Sequence, residues 1–161
     1  MYNPLSDTLK IVVDALRLLE NKTGEGLLFR AVEQAAISSE DQLWQVYDAI
    51  TVLPCAIVFY GPAGYEERAL IRKPTIMVCV IDQFRAKTSS KSEGVLPLAD
   101  GVIDFFNPKC PEGGKIIFKE IDGIQFEIKN HQPVASPERV TAFAIEIEAT
   151  ELAAYEIEVE E

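Results

Sequence analysis

The chain has 161 residues, 48% of them apolar, and a formal net charge of −11. This length suits one domain that buries a core without disulfides or metal, and no apolar run reaches the roughly 18 to 20 residues that span a bilayer. Because an acidic chain repels phosphate backbones, we expect no specific nucleic acid and no membrane among its partners.

The charge is distributed unevenly along the chain. Residues 146–161 contain seven acids and no base, whereas residues 68–91 contain six bases against Asp82 alone. We expect a single domain over residues 1–150 and an acidic C-terminal extension over residues 151–161. Residues 155–161 alternate apolar and acidic side chains, which suits either a strand added to a partner's sheet edge or a disordered terminus.

The first third of the chain predicts two helices and a short strand. Leucines and valines at helical spacing indicate an amphipathic helix over residues 5–20. The glycines at 24 and 26 end it and lead into a short strand over residues 27–33. Serines and acids at 38–41 are typical of a helix start, and they predict a second helix over residues 41–50.

The middle of the chain predicts a strand pair around a turn. Residues 55–60 are almost all apolar, which is typical of a strand covered on both faces. Gly61-Pro-Ala-Gly64 lacks the Gly-Lys-Ser/Thr of a phosphate loop and is interpreted as a hairpin turn. A second strand is predicted over residues 68–82, with Pro74 at a bulge or a projecting part. Residues 85–93 are interpreted as a loop.

The last third predicts a helix over residues 94–106 and three strands. The Asp122-Gly123 pair between residues 115–121 and 124–128 favours a two-residue type I′ hairpin. Residues 140–148 alternate in a way that predicts a strand with one solvated face. The fold class that follows is α+β, a mostly antiparallel sheet with the helices at 5–20 and 94–106 packed on it.

Residues that could carry catalysis are few. His131 is the only histidine, and its Pro-flanked surroundings indicate a loop, so no Ser/His/Asp or Cys/His set is predicted. Cys55, Cys79 and Cys110 show no CxxC spacing and are interpreted as reduced thiols, as in a reducing compartment. A zinc site needs three or four clustered ligands, whereas this chain has one histidine and scattered cysteines. We therefore expect a protein that is not an enzyme and that holds no cofactor and no metal.

A projecting hairpin at residues 61–73 and the basic loop after it are candidates for an interface. Aromatic residues and arginine are enriched where proteins meet, although an ordinary exposed hairpin and a solvated loop would show the same residues. The residues that we expect at an oligomer interface are Tyr60, Tyr65, Arg68, Arg72, Lys73, Arg85 and Lys87.

The order and spacing of these segments resemble the small tail-terminator or tail-completion proteins of long-tailed phages, including those of Mu-like prophages. The similarity covers about residues 5–150. It rests on the N-terminal helix, the strand over 53–60, the glycine-containing turn, the Arg-rich strand that ends in 75–80, the helix over 98–106 and the late β segments. The helix near 41–50 and the extension after residue 150 depart from the family pattern.

The resemblance implies a minor tail protein that forms a hexameric ring, terminates or completes the tail tube and contacts the head connector. Its implied partners are further copies of itself, the tail tube protein and the head-tail connector proteins. Its implied location is the virion tail, assembled in the bacterial host cytoplasm. The alternative that stays open is a stand-alone small-ligand or peptide-binding α+β module.

Overall fold

The structure, a computed structural model, describes residues 5–20, 26–61, 64–65, 72–84, 94–111 and 113–151. These residues form an α+β fold with three helices and a curled, six-stranded sheet that resembles half of a barrel. The sheet is mixed and mostly antiparallel, which confirms the expected fold class at this level.

The three described helices lie where the apolar periodicity predicts them. They are α1 (Leu5–Arg17), α2 (Glu40–Ala49) and α3 (Val95–Phe106). Ser39 caps α2, because its hydroxyl oxygen accepts a hydrogen bond from the Gln42 amide at 3.3 Å. Gln42 Oε1 in turn accepts from the Ser38 amide at 2.7 Å, so the first turn of α2 is satisfied by its own neighbours.

Eight strands are described. They are β1 (Ala31–Gln34), β2 (Cys55–Tyr60), β3 (Gly64–Tyr65), β4 (Arg72–Lys73), β5 (Thr75–Gln83), β6 (Lys119–Ile121), β7 (Ile124–Val134) and β8 (Val140–Glu151). The six-stranded sheet has the order β1-β2-β5-β8-β7-β6, and β3 and β4 form a separate antiparallel pair. Only β1 and β2 pair in parallel in the described sheet.

Each face of the sheet carries its own apolar cluster. On one face, α1 and α3 pack on alternate residues of the central strands, such as Val58 and Val78. The intervening residues, such as Ile57 and Cys79, point to the opposite face, where Leu43 of α2 covers them. The prediction that β2 is covered on both faces is therefore confirmed.

The Asp122-Gly123 turn has the predicted geometry. Asp122 has φ 51° and Gly123 has φ 79°, and positive φ at both central residues is the mark of a type I′ turn. The turn places Ile121 opposite Ile124 and joins β6 to β7.

Several predicted boundaries were wrong. The first strand occupies 31–34 and not 27–33, the strand predicted over 68–82 is divided into β4 and β5 at Pro74, and the strand predicted over 115–121 begins only at Lys119. Pro74 lacks an amide hydrogen, but its carbonyl oxygen accepts a hydrogen bond from Ala149 N at 3.0 Å. Interruption of the strand at this residue follows from the missing donor.

The prediction of a loop at His131 was wrong. β7 continues past residue 128 to Val134, and His131 pairs with Ile145 of β8. A register shift between Ile128 and Asn130 marks a bulge that lets the strand continue. The His131 ring lies 5.8 Å from the Phe143 ring, centroid to centroid, so the neighbouring strand supports an exposed histidine.

The solvated face predicted for residues 140–148 is also wrong in part. Ala142 and Ala144 are buried, because the cluster under α2 extends across the sheet to the first half of β8. Glu146 and Glu148 on the same face are partly exposed. Glu151, which the composition assigned to the acidic extension, is the last described residue of β8; it is 1% exposed and accepts a hydrogen bond from Thr8 Oγ1 at 2.8 Å.

We predict that Phe106→Ala lowers the free energy of unfolding by about 3–5 kcal/mol. Phe106 is fully buried, and its ring lies 5.5 Å from that of Phe126, centroid to centroid. Urea denaturation followed by circular dichroism measures the change. Leu96→Ala is the control in the same helix; its side chain is exposed, so we expect a change within about 0.5 kcal/mol. Equal losses in the two variants would contradict the packing of α3 on the sheet.

Candidate functional site

The base of the predicted projecting hairpin is part of the structure. β3 pairs with β4 so that Gly64 lies opposite Lys73 and Tyr65 lies opposite Arg72. This short ladder stands outside the main sheet, where β2 ends and β5 begins. The hairpin predicted over residues 61–73 is therefore confirmed at its base, but the turn predicted at Gly61-Pro-Ala-Gly64 was wrong, because Gly64 is already paired in β3. Arg68, Arg85 and Lys87, the other charged residues expected at the interface, lie outside the described residues.

Gly61 fixes the point at which the hairpin leaves the sheet. Its amide donates a hydrogen bond to Thr75 O at 2.9 Å. A Cβ atom at this position would lie 3.1 Å from Thr75 Cγ2 and 3.3 Å from Met77 Cγ, closer than most real contacts of this kind. A residue without a side chain thus lets the two strands approach at the foot of the hairpin.

A groove of about 580 Å³ lies beside the foot of the hairpin, on the sheet face that α2 covers only in part. Tyr60, one of the residues expected at an interface, lines it. The lining residues are Ile37, Ser38, Ser39, Glu40, Leu43, Phe59, Tyr60, Gly61, Met77, Cys79, Val134, Ala144 and Glu146.

The chemistry of this groove favours an apolar or cationic occupant. Its floor is formed by apolar side chains from α2 and the sheet, such as Leu43, Phe59 and Met77. The charged residues among those lining it are Glu40 and Glu146. The N-terminus of α2 lies at the rim, and helix N-termini can bind anions. Here the side chains of Ser39 and Gln42 already accept hydrogen bonds from backbone amides at this helix start, and the carboxylates of Glu40 and Glu146 would repel an anion.

A second surface lies at the β6 edge of the sheet, in the residues immediately before β6. Residues 116–118, the apolar segment, are exposed: Ile116 by 63%, Ile117 by 56% and Phe118 by 39%. Two backbone hydrogen bonds hold the segment, from Lys109 N to Ile117 O at 2.8 Å and from Ile117 N to Lys109 O at 2.7 Å. Exposed apolar side chains on a held backbone are typical of an interaction surface.

Lysines surround the apolar segment. Lys109 lies opposite Ile117 and bonds to Asp104 Oδ1 at 3.0 Å. Lys115 precedes the segment and is exposed, and Lys119 follows it with Nζ 4.0 Å from the centre of the Phe105 ring. The segment therefore combines apolar side chains with a rim that holds three lysines, of which Lys109 is paired with Asp104, and one exposed acid, Glu120. Lysines outnumber acids there, whereas both charged residues at the groove are acids.

Other exposed sheet edges are protected. At β1, the Arg17 guanidinium donates to Val32 O from Nε at 3.2 Å and from Nη2 at 2.9 Å. At β7, strand β6 pairs only with residues 124–126. The rest of β7 carries a bulge near Lys129 and contains Pro133, which has no backbone N–H to donate. A charged side chain, a bulge and a proline are devices that discourage strand addition.

The buried thiols are chemically quiet. Burial raises the pKa of Cys55 and of Cys79 to about 12, from an ordinary value of 9.0. Nearby carboxylates, Asp82 for Cys55 and Glu40 for Cys79, add to the effect. Since the thiolate is the nucleophile and the metal ligand, neither group is activated near neutral pH. Among the described residues, no group of three or more His, Cys, Asp or Glu is placed to hold a metal ion.

The structure joins some of the predicted interface residues and adds a surface that the sequence did not reveal. Tyr60 lies at the groove and Lys73 at the hairpin base, close to one end of the sheet. The apolar segment was interpreted as part of a strand. The sequence feature that could have revealed it is the run of three consecutive apolar residues. In a strand with one buried face only every second side chain needs to be apolar, so such a run places at least one apolar side chain on the solvated face.

The chain matches no model of a known protein family and no curated protein. In the described part of the chain, no helix combines the length and the apolar character needed to cross a bilayer.

We predict that a water-soluble disulfide reagent at pH 8 modifies Cys110 rapidly and modifies Cys55 and Cys79 only after unfolding. Cys110 is exposed, whereas the other two are buried with raised pKa values. Counting the released chromophore with and without guanidinium measures the difference. Cys110→Ser is the control, which should abolish the rapid phase. Rapid modification of two or more thiols in the folded protein would contradict the buried placement.

The same shifts give a pH dependence of stability. Folded Cys55 and Cys79 keep their protons to about pH 12, whereas the unfolded chain loses them near pH 9. Their contribution is therefore full below about pH 9 and declines as the pH rises toward 12. Urea midpoints measured between pH 8 and pH 11 should fall, and should fall less in Cys79→Ala than in the wild type.

Proposed function

We propose that this chain is a structural protein of a phage or prophage tail, with a tail-terminator-like fold. Copies of it form a ring, expected to be a hexamer, that terminates or completes the tail tube and contacts the head connector in the virion tail. Its partners are further copies of itself, the tail tube protein and the head-tail connector proteins, and it is not an enzyme. The family resemblance over residues 5–150 supplies this function, and the surfaces described above support the assembly.

The observation that carries the proposal is the presence of two unlike surfaces on one protomer. One is the end of the sheet with the β3–β4 hairpin, Tyr60 and the acidic-rimmed groove. The other is the apolar segment with its lysine rim at the β6 side. A ring is built by repeated contact between unlike parts of the same chain. A protomer with a basic hairpin, a lysine-rimmed apolar segment and an acidic C-terminal part therefore suits head-to-tail assembly.

The overall charge suits the proposed location. A net charge of −11 gives the inner wall of a ring a negative potential, which repels DNA phosphates and disfavours their retention. DNA then passes along the channel without being held. At the contacts between protomers, apolar side chains supply affinity and the charged rims supply orientation.

We predict that the double variant Arg68→Glu/Arg72→Glu assembles about tenfold more weakly than the wild type, and that the two proteins melt at the same temperature as monomers. The hairpin arginines are proposed to face carboxylates of the next copy, so the variant replaces attraction with repulsion. Exposed charge pairs contribute about 0–1 kcal/mol each, so reversal of two charges weakens association by roughly 1–2 kcal/mol. Sedimentation velocity over a concentration series, at low and at high salt, measures the change. Negative-stain images of the wild type should show rings.

The matched control is Arg30→Glu/Arg139→Glu. Both side chains are exposed, and they lie at the opposite end of the sheet, near Pro54 and Phe84 respectively. This variant has the same net charge as the test variant and should assemble like the wild type. A wild type that stays monomeric at high concentration, also in the presence of tail tube protein, would overturn the ring proposal.

A stand-alone binding module is the second candidate, and the groove favours it. Its volume of about 580 Å³ lies in the range of small-ligand sites. We predict that such a module binds a peptide with apolar and basic side chains, because Glu40 and Glu146 rim an apolar floor. Met77→Glu should then abolish binding measured by calorimetry, while Leu18→Glu, at another exposed position, should not. Binding by monomers that never form rings would favour this candidate over the first.

A further inference from the structure

We propose that the apolar segment, residues 116–118, is the docking site for residues 155–161 of a second copy of this chain. The inference rests on the head-to-tail assembly proposed above and names the contact that makes it. Residues 155–161 themselves lie outside the described residues. Three features support the contact: the chemistry of the site, the sequence of residues 155–161 and the position of Glu151, the last described residue of β8.

The site offers backbone hydrogen-bonding groups as well as apolar side chains. The amide and carbonyl of Ile117 are bonded to Lys109. Because successive backbone groups of an extended chain point to opposite sides, those of Ile116 and Phe118 point away from Lys109. They can receive the hydrogen bonds of an added strand, and the exposed side chains beside them can be covered by its apolar face.

The sequence of residues 155–161 matches this site. Tyr155, Ile157 and Val159 alternate with glutamates at 156, 158 and 160. A strand formed by them would therefore have one apolar face and one acidic face. The apolar side chains fit residues 116–118, and the glutamates fit the rim formed by Lys109, Lys115 and Lys119.

Charge argues against the groove, the other apolar surface that the described residues form. The groove is rimmed by Glu40 and Glu146, which repel a segment carrying four glutamates. The lysine-rimmed segment attracts it. Like charges brought together at an interface cost several kcal/mol, so electrostatics selects the apolar segment and not the groove.

The geometry of the sheet favours a second copy as the source. Glu151 lies opposite Ile124 on β7, and Ile121 of β6 lies beyond it. A strand outside β6 is three strand spacings, about 14 Å, from β8, and the four steps from Glu151 to Tyr155 span at most about 14 Å.

The direction of β8 adds to this constraint. β8 runs toward the Asp122-Gly123 turn, because it is antiparallel to β7. The apolar segment lies away from that turn, before Lys119. Within one chain, residues 152–155 would be used in crossing the sheet, so Tyr155 and Ile157 could not both cover the segment and only the last few residues could lie beside it. A neighbouring protomer meets no such limit.

Photo-crosslinking in the full-length protein tests the contact. Phe118 is replaced by p-benzoylphenylalanine, which keeps an aromatic ring at an exposed position. Unlabelled protein that carries the crosslinker is mixed with ¹⁵N-labelled wild type, irradiated and digested. We expect crosslinks from position 118 to residues 155–161, and we expect a large share of them to join a light peptide to a heavy one.

A double-mutant cycle provides the energetic readout. Ile116→Glu and Ile157→Glu should each raise the dissociation constant of the assembly at least tenfold, and the double variant should add no more than about threefold to either. Leu18→Glu is the control, because Leu18 is an exposed apolar residue, 75% accessible, on a different part of the surface. It should leave the dissociation constant unchanged, and all variants should keep the wild-type melting temperature.

The outcomes separate this inference from the proposed function. If rings form but crosslinks from position 118 fall outside 155–161, or the two single variants assemble like the wild type, this contact is wrong while the ring proposal stands. Crosslinks found only within light chains would also overturn it, in favour of contact within one chain. If the wild type forms no assembly at any concentration, the ring proposal fails and this contact fails with it.

Discussion

Strands β2 and β5 carry fully buried side chains on both faces of the sheet, with Val58 and Val78 on one side and Ile57 and Cys79 on the other. Such strands are stable only if apolar groups cover each face, since every exposed face would leave several large side chains in water. Helices α1 and α3 cover one face, and α2 covers part of the other. The part that α2 leaves uncovered is the groove beside Tyr60.

Because helices cover most of both faces, the exposed backbone groups of the described sheet lie at its ends and edges. Natural sheets protect edges that would otherwise pair indiscriminately, and here Arg17 blocks β1 while a bulge and Pro133 blunt the outer part of β7. The apolar segment before β6 is exposed in spite of these devices elsewhere. Among the edges described, the apolar segment therefore stays more open to an added strand than β1 or the outer part of β7.

Local signals predicted the elements whose stability is local. The periodicity of α1 and α3, the apolar run of β2 and the Asp122-Gly123 turn are each encoded within about a dozen residues, and each was predicted correctly. The parallel pairing of β1 with β2, the burial of Ala142 and Ala144 under the α2 side of the sheet, and the strand at His131 depend on partners far away in the sequence. Alternation within one segment cannot identify those partners. The apolar segment was missed for the same reason: Ile117 pairs with Lys109 and not with β7, and the local sequence does not indicate that partner.

The opposite charge of the two surfaces bears on the kind of assembly that can form. A two-fold dimer brings a surface against its own copy, which would place lysines against lysines at the apolar segment, or Glu40 and Glu146 against their equivalents at the groove. Both arrangements oppose like charges. A head-to-tail contact, in which an acidic part of one protomer meets the lysine rim of the next, avoids this cost. Repetition of one such contact gives a closed ring when its rotation divides a full turn and an open helix when it does not. In the assembly that we propose, this rotation depends on how the end of β8 is oriented relative to the β6 edge.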